Sequence, residues 1–280
     1  AAVQAMSAQL TVREAGRTND RYWRDLWASR QLIQTLALRD ISVRYRQSAV
    51  GVSWALLRPL AITVAFTFVF EKIARLPSDG NMPYSLMVLA GMVPWMFFST
   101  SLSDATNSLI TNTNLIEKVF FPRLALPISS LSNALLELLI STALLLTLML
   151  VYGVGFRWTL VLLPAFLALA LLGSVGLGIW CAAINVRYRD IRFIVPFLIQ
   201  FGVYITPVGF SSQLVPDQWK PIFYLNPMAA VIDGFRWSID PESSSLYWPG
   251  LISSVLMCGA LLYMGLRYFR RTERMFADFI

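Results

Sequence analysis

The sequence predicts an all-α membrane protein with six transmembrane helices, on three observations. Four segments, 80–103, 158–186, 193–216 and 243–266, hold no Asp, Glu, Lys or Arg over 24, 29, 24 and 24 residues. Two more, 124–156 and 51–70, carry one charge each, Glu137 and Arg58. A hydrocarbon core of about 30 Å is crossed by about 20 apolar residues of helix, so all six are long enough. Composition agrees: of 280 residues, 56% are hydrophobic and 14% charged, against about 25% charged in soluble domains.

In chain order, residues 1–50 form an N-terminal segment, 51–270 a six-helix transmembrane domain and 271–280 a tail. The first 50 residues hold eight Arg and no apolar core, so no cleavable signal peptide is expected. Within them, 21–39 is amphipathic. Tyr22, Trp23, Leu26, Trp27, Ile33 and Leu36 share a face, and Arg21, Arg24, Arg30 and Gln34 avoid it. Aromatics opposite Arg describe a helix lying among lipid headgroups, whether as plain anchor or as guide for a lipid-attached substrate. The expected spans are 51–72, 82–103, 124–151, 158–185, 192–211 and 248–267. Pro94, Pro164, Pro196 and Pro207 fall inside them and are tolerated in membrane helices. With six spans both termini share a side, and that side collects seventeen Lys and Arg against five opposite. The positive-inside rule makes it cytoplasmic. The same distribution, in loops and ends, argues that the net charge of +7 serves the membrane and not nucleic acid.

Several chemistries are missing. None of the three Lys follows Gly, so there is no G-x-x-x-x-G-K-[ST] phosphate loop. With no His, imidazole metal sites and His-based catalysis are excluded. Cys181 and Cys258 lie in spans and read as small hydrophobes. The chain is expected to be neither an enzyme nor a self-powered pump.

Four features remain as candidates for function. The connection 104–123 mixes apolar, charged and aromatic residues; a short helix there would present Leu115, Ile116, Glu117 and Lys118 to a partner, beside Phe120 and Phe121. A tighter loop carries Arg187, Tyr188, Arg189 and Asp190, for which positive-inside charge alone is a sufficient reason. The segment 212–247 is apolar yet too broken to span. Asn226 and Pro227 are a helix N-cap and first-turn proline, and a helix over 227–238 would be about 18 Å long. It reads as a re-entrant element, a gate on the outer side or a helix packed on the bundle. Finally, Phe193, Phe197, Phe201 and Tyr204 form one stripe near Gln200, and Phe66 and Phe70 are a turn apart. Such faces stack on sugar rings and would line a glycan path; helix packing or lipid contact would use them equally. Arg58 and Glu137 are ionisable groups inside spans, and a mutual ion pair is expected.

These residues spell a pattern. Arg39-Asp40-Ile41 with Val43-Arg44-Tyr45-Arg46, then Gly51 and Trp54-Ala55-Leu56-Leu57-Arg58-Pro59-Leu60, resembles the approach to the first span in polysaccharide ABC exporter permeases. Asn114-Leu115-Ile116-Glu117-Lys118 with Phe121-Pro122-Arg123 is similar to that family's cytoplasmic loop, and Tyr188-Arg189-Asp190-Ile191 to its second. Asn226-Pro227 with Asp233 and Phe235-Arg236 resembles its stretch before the last span. The match runs from about 22 to 270, and the closest branch is the type-2 permeases of O-antigen and teichoic-acid export.

The resemblance implies a homodimer in a bacterial inner membrane, driven by two separate ATPase subunits that bind ATP and Mg. The cargo would be a glycan on undecaprenyl diphosphate. Asn114–Lys118, with Arg189 and Asp190, would couple to the ATPase; Asn226, Pro227 and Phe235 would belong to the outer gate. Arg39, Arg44 and Arg46 would suit the lipid diphosphate. A type-2 exporter of small molecules, a capsule permease and a non-transporting scaffold are the other readings.

Overall fold

The computed structural model describes residues 22–46 and 53–276, without the side chains of Arg46 and Arg274. The expectations for Arg21 and Gly51 lie outside the described residues. Every regular element among those described is helical. They are α1 (Tyr22–Ala28), α2 (Arg30–Arg46), α3 (Ser53–Phe66), α4 (Tyr84–Thr111), α5 (Thr113–Lys118), α6 (Ala125–Val151), α7 (Leu163–Arg187), α8 (Ile191–Ile205), α9 (Lys220–Phe223), α10 (Pro227–Ile239) and α11 (Trp248–Thr272). A π-helical stretch, Thr67–Ile73, prolongs α3, and a 3₁₀ turn, Trp158–Leu162, leads into α7.

Five segments are long and apolar enough to cross a membrane: Ser53–Ile73, Tyr84–Thr111, Ala125–Val151, Trp158–Arg187 and Trp248–Thr272. The stretch expected to cross as 192–211 is helical only over the 15 residues of α8, about 22 Å of rise. It stops where Thr206 turns extended (φ −88°, ψ 143°), the conformation a following proline, here Pro207, imposes. The other revision is at α4, which runs eight residues beyond the expected 103. Asp104–Thr111, expected as loop, is its last two turns.

α4 is the central mast, packed on α3, α6, α7, α8 and α10. One apolar core surrounds its first half together with α6, α7 and α10. A second core gathers α1, α2, the end of α4, α5, the end of α7 and the end of α11. α7 and α11 cross backbone to backbone. A Cβ on Gly265 would lie 2.2 Å from the Gly176 carbonyl oxygen, and one on Gly176 2.5 Å from the Leu262 nitrogen. Small residues allow such approaches between membrane helices. Gly176→Ala should therefore cost about 1–3 kcal/mol by overpacking, read as a lowered melting temperature of the purified protein.

Residues 22–39 of the amphipathic stretch fall in two helices that meet at Ser29, whose hydroxyl and backbone nitrogen both donate to the Asp25 carbonyl (2.9 and 3.0 Å). Back-bonding of this kind to the i−4 carbonyl tends to bend a helix. The expected shared face splits accordingly. Leu26 and Leu36 are buried in the second core, while Trp23 and Trp27 stand 52% and 71% exposed.

Candidate functional site

α2 is fastened to the bundle by charge. Arg44 donates to Asp104 of α4 (2.9 Å) and lies 3.0 Å from Glu137 of α6. Asn133 donates to the same Asp104 (3.4 Å) and Thr100 to Glu137 (3.0 Å). The Ser132 hydroxyl adds a bond to the Ala37 carbonyl (3.3 Å). The expected partner of Glu137 was Arg58; the structure places Arg44 there instead. Helical rise along separate spans could not reveal this, because α2 lies alongside α6 and delivers a guanidinium from outside the spans. Arg39 is also engaged, donating to Asp40 and to Asn112 (2.7 Å) at the α4–α5 joint. The Arg46 side chain lies outside the described residues.

At this end α5 is seated by Ile116, which is buried, and by half-buried Leu115. Asn114, Glu117 and Lys118 face outward, and Phe120 is 81% exposed. The helix thus presents charge and amide, with Ile116 as its root and not part of its outer face. Arg189 and Asp190 are exposed in the α7–α8 turn at the same end. Beside the core that seats α5, the first described helix meets the turn that follows α11. Glu273 accepts from the Tyr22 hydroxyl (3.3 Å) and the Arg123 backbone nitrogen (2.9 Å), and the Arg123 guanidinium donates to the Glu273 carbonyl. Arg270 sits over the Tyr22 ring at 5.0 Å, and Phe276 is fully buried against Phe269. Burial is the largest influence on Glu273 and raises its carboxyl above the usual range.

The expected aromatic stripe is real and faces outward. Phe193, Phe197, Phe201 and Tyr204 of α8 are 64%, 65%, 55% and 62% exposed, and Phe197 and Phe201 stack at 6.2 Å. Phe66 and Phe70 are half-buried, 5.3 Å apart, and Phe66 stacks on Tyr204 at 6.4 Å. The two aromatic groups expected separately on α3 and α8 therefore form one continuous surface. Beside it open two cavities, of about 670 and 440 Å³.

The opposite end is organised by α10. Asn226 accepts from the Met228 nitrogen (3.1 Å), the cap expected for it, and donates to Thr206 at the end of α8 (2.8 Å). Pro227 takes the first turn, and Phe235 is fully buried. Arg236 is fully buried too and donates to the carbonyls of Met87 (3.2 Å), Phe210 (3.1 Å) and Val208 (2.9 Å), with Asp79 at 3.7 Å. Its bracing role was not foreseen from the sequence; the signal was an Arg and an Asp, Asp233, one turn apart in a short and mostly apolar helix. Beside it the Tyr224 hydroxyl donates to Asp233 (2.6 Å).

Burial pushes the Asp233 carboxyl up to about 6, against the opposing pull of Tyr224 and Arg236. Between that value and the ordinary one near 3.9, the folded state alone holds the proton, so stability rises as pH falls through this window. Above it both states are ionised and pH has no leverage. The melting temperature of the native protein should therefore gain over that of Asp233→Asn between pH 7 and 5.

The ABC-2 type transporter family matches residues 31–239, most of the chain and all of the features just described except α1 and α11. The chain belongs to the ABC-2 type transporter family. It is similar to an O-antigen export system permease protein RfbA of Klebsiella pneumoniae, 26% identical over 259 residues, covering 89% of this chain and 95% of the relative. An O-antigen export system permease protein RfbA of Myxococcus xanthus is 30% identical over 215 residues, or 76% of this chain and 82% of the relative. In this ABC-2 chain the charged seat of α2, the aromatic surface and the α10 brace thus lie within a transporter's membrane subunit.

Proposed function

We propose that this chain is the membrane subunit of an ATP-driven exporter that moves undecaprenyl-diphosphate-linked polysaccharide across a bacterial inner membrane. The likeness to O-antigen export permeases over nearly the whole chain carries the reading. Physical support comes from the exposed aromatic surface, because aromatic faces bind sugar rings without demanding one sugar identity. Two copies pair, each crossing the membrane six times, with α8 and the extended residues after it as the crossing shorter than the rest. Both termini and α5 are cytoplasmic, as the charge bias supports, and α1–α2 lie at the headgroups. Two ATPase subunits, which bind ATP and Mg, dock on Asn114, Glu117 and Lys118 of α5 and on Arg189 and Asp190. α10, with Asn226, Pro227 and Phe235, forms part of the outer gate.

The test is deletion of the gene in its host, quantifying surface glycan and intracellular lipid-linked glycan. Loss of surface polymer with internal build-up of undecaprenyl-linked chains is expected. Unchanged surface glycan without build-up would overturn the reading in favour of a small-molecule cargo.

A further inference from the structure

The two cavities share four residues: Arg44, Arg58, Ile62 and Met96. They differ in chemistry. The larger lies between α2, α3 and α6, and Trp54, Ala55, Leu57 and Ala61 make most of its remaining wall apolar. The smaller lies between α3, α4 and α8 and offers Ser99, Thr100, Ser103 and Gln200 among the rings of Phe66, Trp95 and Tyr204. Both volumes are within the range of ligand pockets, about 300–1,000 Å³. One is built for hydrocarbon and the other for hydroxyls and sugar faces.

At their junction the two cations are not equivalent. Arg44 is committed to Asp104 and Glu137. Arg58, inside the first candidate span, makes no ion pair among the described residues. A cation there is expensive unless it meets an anion or water. The larger cavity also contains the Tyr45 side chain, whose hydroxyl is buried and has no hydrogen-bond partner. An exposed guanidinium that makes no ion pair among the described residues, beside a mostly apolar chamber, fits a phosphate that carries a hydrocarbon chain.

We infer that Arg58 anchors the phosphate-bearing headgroup of a lipid-linked glycan, the larger cavity taking the start of its hydrocarbon chain and the smaller its first sugars. The inference rests on the function proposed above. It moves the headgroup away from Arg39 and Arg44, which are already engaged with carboxylates, to a residue deeper along α3. Arg44, Asp104 and Glu137 together carry one surplus negative charge beside the anchor. That charge weakens the hold on an anion, and a transit site must release what it binds, as conducting sites do.

The test uses the full chain in phosphatidylcholine nanodiscs, with undecaprenyl diphosphate and undecaprenol as probes and native mass spectrometry as readout. The diphosphate should bind at least about tenfold tighter than undecaprenol, the effect of one charge-assisted hydrogen bond or more. Arg58→Gln should remove that advantage, leave undecaprenol binding unchanged and be largely rescued by Arg58→Lys. Retention of the full advantage by Arg58→Gln would overturn the inference, as would displacement of the diphosphate by phosphatidylglycerol at equal concentration. If that happens while gene deletion still strips the surface glycan, the site is wrong and the export reading stands. If deletion leaves the surface intact while binding depends on Arg58, the lipid-phosphate site stands and the cargo reading falls.

Discussion

Arg236→Met should leave little folded protein. The substitution strands the carbonyls of Val208 and Phe210, which lie outside any helix, takes a second donor from that of Met87, and leaves Asp79 as an unpaired buried carboxylate. Breaking a buried pair by removing one partner costs about 3–5 kcal/mol, and each stranded buried acceptor about 1–3 kcal/mol more. Native stabilities are about 5–15 kcal/mol, so the loss is comparable to the whole. Gel filtration of detergent-extracted protein should show aggregate in place of the native peak. Adding Asp79→Asn should recover part of that peak, because it removes the stranded charge but not the stranded carbonyls. Arg236→Lys should fall between, since an ammonium cannot reach three acceptors in a fork. A native peak undiminished in Arg236→Met would mean that α10 is held by its apolar face alone.

Arg44→Leu is the second large effect, and it should act on position more than on survival. Asp104 and Glu137 would lose their shared cation, and α2 the charge that seats it on α4 and α6. A third of the Arg44 side chain is exposed (33%), so solvent screens the pair and the cost falls to about 2–3 kcal/mol, below the fully buried case. The displacement can be read by a disulfide between Ala37→Cys and Ser132→Cys, positions already linked by a hydrogen bond. Cross-linking should be efficient in the otherwise native chain and drop several-fold with Arg44→Leu. Asp104→Asn with Glu137→Gln on the same background should restore protein yield but not the cross-link, separating charge burial from seating.

How far the sequence foretold this depends on what each residue faces. The helices Ala125–Val151 and Pro227–Ile239 match the expected 124–151 and 227–238 almost to the residue. Their limits are written locally, as a charged residue before an apolar run and as an Asn-Pro cap. The stripe on α8 was equally legible from its spacing. α4 was not, because Asp104, Thr106 and Ser108 look like loop to hydropathy yet bond within the protein. The Glu137 partner was missed for a related reason: it comes from a helix that hydropathy ranks outside the membrane. The joining of Phe66 to Tyr204 depends on how α3 and α8 approach, which no spacing within either helix records. α8 shows the opposite error, since an apolar run continued past the residue where Pro207 ends the helix.

The clasp of Tyr22, Arg123 and Glu273 binds the earliest described helix to nearly the last described turn, beside the core that seats α5. On the ribosome these groups appear at opposite ends of synthesis. α1 and the stretch leading out of α5 stay unclasped until residues after 272 have emerged, so a chain interrupted there carries its five candidate spans but lacks the clasp. Truncation after Thr272 should therefore leave the protein in the membrane with α1 amides exchanging faster with deuterated solvent than in the intact chain. Unchanged exchange would show that Leu26 and Leu36 alone hold α1 and α2. On this arrangement the local order of α1 is decided by a residue made long after its own.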